Sequence, residues 1–270
     1  MKCGISTACF YPEETAQAVL HLGNFFKGST EVFLNTFSEL EQDYLQRLKE
    51  ISLQKSLDIV SLHPFSCGFE PFLFFTDYDG RFTDGEKLYR KYFSASNFLG
   101  AKLLVLHGDT RYRKIDMQFY AQRFMRLAAV AQEYGVILAQ ENVERCCCAF
   151  PENIRLLRQY TEDKVKFVLD LKQARRAGVS AQEMIEAMGT QNICHLHLSD
   201  ADDTHDCLAP GEGTVDFAAI FSHFGTHIEH ITKVVELYND NFQQEEQLLQ
   251  AANYIDSQIE KCCLKEEGRV

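Results

Sequence analysis

Residues 193–200 read ICHLHLSD, and the fold turns on how that stretch is read. It is short and rich in Ile and Leu, as expected of a parallel strand buried on both faces, and it closes on polar residues. Its second histidine, His197, falls where an apolar side chain would be the ordinary choice. Working outward, the pattern returns. Upstream, KFVLDLK (166–172) carries Asp170, VILAQEN (136–142) carries Glu141, LLVLHGD (103–109) carries His107 and IVSLHPF (59–65) carries His63; downstream, KVVELY (233–238) carries Glu236. Each sits at or just past the end of its apolar run. A lone histidine at a strand end is usually a hydrogen-bonded structural residue. One metal-capable side chain in each of six successive runs implies convergence on one point. A barrel of parallel strands brings its strand ends to a single face, where barrel enzymes keep their active sites.

KCGIST (2–7) and TEVFLN (30–35) read as two earlier strands and bring the total to eight. Helical segments separate them. Pro12 suits a first helical turn, and Gly23 suits the end of a helix carrying Ala16, Val19 and Leu20. Ser38 and Glu41 have capping-box spacing ahead of Leu45, Leu48 and Ile51. A further helix opens near Asp116, presents Tyr120, Phe124, Leu127 and Ala131, and stops at Gly135. Another runs from Ser180, with Glu183 three residues on, to Gly189. Eight strands alternating with helices over 270 residues predict one α/β domain, a (β/α)8 TIM barrel over residues 1–258 with a fraying C-terminal tail at 259–270. An open doubly wound sheet shares the alternation, but no G-x-G-x-x-G follows the first strand, and an open sheet cannot bring six strand ends together.

Composition narrows the function. Hydrophobic residues make up 46% of the chain, enough for a sizeable core, and the net charge is −12. That charge argues against unassisted binding to nucleic acid, where Lys and Arg must replace phosphate counterions, and against an anionic membrane surface. No apolar stretch reaches the roughly 18 residues needed to span a bilayer. The opening MKCGIST reads as strand rather than secretory leader, and the ten cysteines show no C-x-x-C spacing. Reduced thiols and a cytoplasmic location are the expectation.

Glu141, Asp170 and Glu236 follow apolar runs directly, where a buried, unpaired carboxylate costs several kcal/mol. Few Lys or Arg residues stand at neighbouring strand ends to offset that cost. A divalent metal satisfies all three acids together. The segment 64–86 holds Phe65, Phe69, Phe72, Phe74, Phe75, Tyr78 and Phe82 after the third strand. A loop of that length on the active face serves as lid or substrate wall, or packs its rings onto the barrel or onto a second subunit of a homo-oligomer.

Together, Q-E-N at 140–142, L-D at 169–170, H-L-H-L-S-D at 195–200, P-G-E-G-x-x-D at 210–216 and V-E-L at 235–237 resemble the xylose-isomerase-like barrel superfamily over nearly the whole chain. That superfamily includes sugar isomerases, ketose epimerases, inosose dehydratases and type-IV AP endonucleases. The resemblance implies a metal site made of Glu141, Asp170, His197 and Glu236, with His195 inside the barrel or supporting the ligands. It also implies a second metal held by His63 and His107 and bridged by Glu141, as in the endonuclease branch. One departure counts against the trinuclear endonuclease: members usually carry His three residues after the strand-six Asp, and here Gln173 stands there, preceded by Lys172. Zinc or manganese suits the mixed N/O set, with cobalt and magnesium as alternatives.

Such a site suits aldose–ketose isomerisation or epimerisation of a small carbohydrate. The metal polarises adjacent carbonyl and hydroxyl oxygens, and Glu141 and Glu236 carry protons on either side of the substrate. Lys172, Gln173, His205 and Glu212 are candidate substrate contacts, and Gly211 and Gly213 could offer backbone donors to a phosphate. Three alternatives stand beside this reading: a metal-dependent hydrolase resembling the AP endonucleases, a dehydratase, and a non-enzymatic sugar-binding barrel.

Overall fold

A computed structural model describes residues 1–267. Eight strands follow one another around a closed parallel barrel: β1 (Gly4–Ser6), β2 (Gly28–Leu34), β3 (Leu57–Pro64), β4 (Leu103–Leu106), β5 (Ile137–Glu141), β6 (Lys166–Asp170), β7 (Ile193–Leu198) and β8 (Thr232–Val235). β8 pairs with β1 and closes the ring, which excludes the open sheet. All eight expected strands are present.

Strand alternation divides the side chains into two layers. Leu104, Leu106, Leu138, Phe167, Leu169, Leu196 and Leu198 join the main core shared with the helices. Leu103, Val105, Ala139 and Val168 form a small separate apolar cluster. The remaining interior is polar: Ser6, Glu31, Ser61 and His195 are completely buried. Barrel interiors are ordinarily filled by branched apolar residues, so this half-polar filling stands out. Register then sets the rim. Asp170 lies level with His197, and Glu141 with Val168. Between β2 and β3 the register shifts at Thr30/Glu31, placing Glu31 opposite Ser61.

The sheath contains α1 (Thr15–Phe25), α2 (Gln42–Lys55), α3 (Glu70–Phe74), α4 (Asp79–Leu99), α5 (Met117–Glu133), α6 (Pro151–Tyr160), α7 (Leu171–Arg176), α8 (Ala181–Met188), α9 (Phe217–Ser222) and α10 (Glu245–Glu267). Two of the expected boundaries hold through the chemistry that predicted them. Asp116 accepts from the amides of Gln118 and Phe119 to cap α5, and Ser180 and Glu183 form a complete capping box on α8.

Others differ. Pro12 precedes α1, which is capped by Glu14, and Gly23 lies inside the helix, where an added Cβ would strike the Lys55 side chain. Ser38 and Glu41 make no capping box: residues 37–40 form a 3-10 turn, and Glu41 occupies the N-cap without a side-chain bond. The segment 64–86 is largely helical, being divided between a 3-10 turn, α3 and the start of α4. Its rings split between roles: Phe74, Phe75 and Phe82 are buried, whereas Phe69, Phe72 and Tyr78 are exposed. α10 crosses the expected tail boundary without a break and buries Ile259 and Cys262; residues 268–270 of that tail lie outside the described residues. No helix among the described residues is long and apolar enough to cross a membrane, and the described cysteines are free thiols.

Candidate metal centre

Barrel closure brings the six strand-end residues together. His63, His107, Glu141, Asp170, His197 and Glu236 are all buried. Ligand atoms of Glu141, Asp170, His197 and Glu236 lie within 4.8 Å of one another, and so do those of His63, His107 and Glu141. His197 is the hub. Its Nδ1 lies 3.3 Å from Glu141 Oε1, 3.3 Å from Glu236 Oε2 and 3.8 Å from Asp170 Oδ2. The second group is built around the other Glu141 oxygen: Oε2 lies 3.6 Å from Nε2 of both His63 and His107.

Two buried oxygens in these groups, Glu141 Oε2 and Asp170 Oδ2, have no hydrogen-bond partner. Buried carboxylate oxygens are normally satisfied, and an orphan facing two imidazole nitrogens or a third acid has the surroundings of a metal ligand. The donor set therefore fits a divalent cation at Glu141–Asp170–His197–Glu236 and a second at His63–His107–Glu141. The other Asp170 oxygen accepts from the Gln173 amide at 2.9 Å and caps α7, which fixes the carboxylate's direction.

The electrostatics of the site follow from this crowding. Burial alone would raise Glu141, but the imidazoles of His197 and His63 facing it hold its carboxyl well below the usual range. Burial likewise opposes ionisation of Asp170, and Lys172 and His197 together outweigh it, so its carboxyl lies below the usual range. Burial would lower His197, yet Glu31 and Glu236 push it well above an ordinary imidazole. His107 is raised in the same way, chiefly by Glu70 against its burial.

Lys172 is buried, 3.3 Å from Glu236 Oε2 and 3.6 Å from Asp170 Oδ2. Its ammonium also lies 4.8 Å from the centre of the Tyr238 ring. The acids raise its pKa well above normal despite burial, so it is a fixed positive charge. Gln173 lines the cavity and accepts from the Glu144 amide. His205 and Glu212 do not line the cavity. His205 is exposed and bonded to Asp202 and Thr204, and Glu212 is exposed and bonded to Gln247. The loop that holds them is organised by Asp200, whose carboxylate accepts from the amides of Ala201, Gly211 and Val215. The Gly211 amide proposed for phosphate is thus already taken.

The sequence reading missed several residues that complete the site. Glu31 and Glu70 stand behind His197 and His107, each with a carboxylate oxygen 3.2 Å from the imidazole nitrogen turned away from the cavity. A pocket of about 210 Å3 opens over the metal-capable residues, and one of about 380 Å3 shares its walls at Phe33, Phe65, Lys172, Glu236 and Tyr238. Tyr11 and Leu237 extend the apolar wall of the larger one. Cys67 lines the smaller; a hydrogen bond from Cys146 pushes its thiol down to about 3 against burial, with His107 and Arg145 adding to the effect.

These features match known proteins. Residues 24–258 match the model of the xylose isomerase-like TIM barrel family, and the chain belongs to that family. A comparison with curated protein sequences gave no match. Among solved structures, a D-tagatose 3-epimerase-like protein superposes with a TM-score of 0.78 at 17% identity, covering 98% of this chain and 99% of that one. The D-psicose 3-epimerase of Clostridium cellulolyticum H10, solved with D-tagatose, gives 0.73 at 15% identity over 97% and 99%. The IolI protein with a bound zinc atom gives 0.71 at 18% identity over 98% and 99%. At these identities the likeness is one of fold.

Proposed function

We propose that this chain is a metal-dependent isomerase or epimerase of a small sugar or polyol. One observation carries the reading: two buried carboxylates, Glu141 and Glu236, flank His197 Nδ1 at equal 3.3 Å distances beneath an open cavity. Glu141, Asp170, His197 and Glu236 would hold a divalent ion, with zinc or manganese favoured over cobalt or magnesium. Such an ion, when bound, supplies Lewis-acid polarisation of adjacent carbonyl and hydroxyl oxygens. The protein's own residues do the remaining work. Glu141 and Glu236 are placed to exchange protons with the hydroxyl-bearing carbon next to the carbonyl. Lys172 holds Glu236 and Asp170 in position with a charge that does not titrate near neutrality. The wall of Tyr11, Phe33, Phe65 and Tyr238 excludes water and offers ring faces to the C–H surface of a sugar. Because Lys172 is committed to two acids, an unphosphorylated substrate fits this wall better than a sugar phosphate. The epimerase names among the solved structures of similar fold support the same class.

The test is solvent deuterium incorporation and product formation with a panel of ketoses and aldoses in D2O, using protein loaded with Zn2+, Mn2+, Co2+ or Mg2+. Glu141→Gln and Glu236→Gln should each abolish exchange while remaining folded. Wild-type protein that exchanges no carbon-bound hydrogen on any of them would sink the proposal. A second reading, a hydrolase with two metals, is supported by the His63–His107–Glu141 group, and cleavage of a duplex containing an abasic site would favour it.

A further inference from the structure

We infer that Glu31 is a positioning residue of the metal centre, fixing His197 with its proton on Nε2 so that the Nδ1 lone pair faces Glu141, Asp170 and Glu236. The inference rests on the metal-dependent reading above, and its own readout is the state of the imidazole.

β2 and β7 are not neighbours in the barrel, so the 3.2 Å contact between Glu31 Oε2 and His197 Nε2 crosses the interior. Glu31 is completely buried there, where an apolar side chain would be the ordinary filler. Four groups aim at its carboxylate: Ser6 Oγ lies 3.3 Å from Oε1, while Ser61 Oγ at 2.8 Å, His195 Nε2 at 3.3 Å and His197 Nε2 at 3.2 Å surround Oε2. A carboxylate that already takes the hydroxyl hydrogens of Ser6 and Ser61 serves as an acceptor, so the His197 Nε2 that faces it is placed to donate. The metal-facing nitrogen is then Nδ1, the atom that sits among the three acids. Metal-binding histidines commonly gain orientation and basicity from a carboxylate behind them. The same device recurs at His107, whose Nδ1 lies 3.2 Å from Glu70 Oε1 and whose Nε2 faces Glu141. His63 lacks it: its Nδ1 has no hydrogen-bond partner.

Replacing Glu31 by Gln keeps the shape but offers one acceptor oxygen to donors that need two. With the amide nitrogen toward His197, the imidazole proton moves to Nδ1, where it competes with the metal. The experiment uses the full chain labelled with 15N-histidine, stripped of metal and then loaded with Zn2+. Long-range 1H–15N spectra at alkaline pH, where imidazoles are neutral, report which His197 nitrogen carries the proton; titration calorimetry reports Zn2+ affinity. Wild type should show the proton on Nε2. Glu31→Gln should shift it toward Nδ1 and weaken Zn2+ binding about 10- to 100-fold, whereas Glu31→Asp should keep the Nε2 proton and recover part of the affinity. Glu31→Gln protein with the proton still on Nε2 and Zn2+ affinity within about twofold of wild type overturns the inference. So does wild-type protein with the proton on Nδ1, which needs no variant to fold. Wild-type protein that binds no Zn2+ would instead overturn the metal centre, and the metal-free spectrum would still decide the role of Glu31.

Discussion

Asp170 does two separable jobs, and separating them tests the metal reading most directly. One oxygen caps α7 through the Gln173 amide; the other is buried without a hydrogen bond beside Lys172 and His197. Asp170→Asn keeps an acceptor for the cap and removes the charged ligand. Asp170→Ala removes both. In metal-free protein the two variants should differ by the value of the cap, about 1 kcal/mol. Metal then amplifies the contrast. An ion present at about 1,000 times its Kd stabilises the folded chain by about 4.1 kcal/mol, and a 100-fold weaker site at the same concentration leaves about 1.4 kcal/mol. The missing 2.7 kcal/mol or so corresponds to roughly 5–11 °C in Tm for a domain of this size.

Thermal unfolding of metal-stripped and reloaded protein, with Zn2+ and then Mn2+, reads these quantities. Wild type should gain the full shift, and Asp170→Asn should gain less than half of it. Two results refute the reasoning. A wild-type Tm indifferent to both ions means that the cluster balances its charges without a metal. An Asp170→Asn protein with the full shift means that the orphan oxygen is not a ligand.

Three further outcomes follow from the geometry. His63→Ala should lower elemental metal content by at most one ion per chain and spare the other, whereas His197→Ala should abolish the tighter site; equal losses in both variants would contradict two distinct groups. His21 pairs with Glu13 on one side and with Glu245 of α10 on the other, and these acids raise its pKa against the effect of burial. Because the folded value is the raised one, this stabilisation is complete below about pH 6.5 and fades as pH rises through the folded pKa. For a site this exposed it amounts to a few tenths to about 1 kcal/mol, so His21→Gln should lower the urea midpoint more at pH 5.5 than at pH 8.5, and an equal change at both pH values would count against the pairing. Gly213→Ala would press a methyl group within 2.5 Å of Ala201 O and against the Asp200 carboxylate, costing about 1–3 kcal/mol. A metal-free Tm equal to wild type would show that the loop yields freely.

The barrel and the six rim residues were legible because each lies where an apolar run stops, and a buried acid or imidazole at a strand end has few explanations. Glu31 was not legible, although TEVFLN displays it. A mid-strand carboxylate signals burial only when the neighbouring strands are known to supply Ser61, His195 and His197. Glu70 was hidden by the aromatic segment read as a loop, whereas in the structure it accepts from the amides of His107 and Gly108 and from the Tyr89 hydroxyl. His205 and Glu212 were placed by proximity in sequence. Their positions depend on the path of a loop wound around Asp200, which no local pattern encodes.

The balance of charge bears on how many ions the site would hold. Glu31, Glu70, Glu141, Asp170 and Glu236 converge on the same interior, and Lys172 is the ammonium among them. The acids outnumber that ammonium, and His197 and His107, whose pKa values they raise, answer only part of the negative charge in this buried space. A divalent ion among the four ligands would reduce the imbalance, and a second beside His63 and His107 would reduce it further. The first ion meets the greater negative charge and a histidine oriented by Glu31. The second meets less charge and relies on His63, whose Nδ1 has no partner to hold the ring. On the proposed metal reading the same electrostatics would rank two ions, with the Glu141–Asp170–His197–Glu236 site filling first and the His63–His107 site exchanging first.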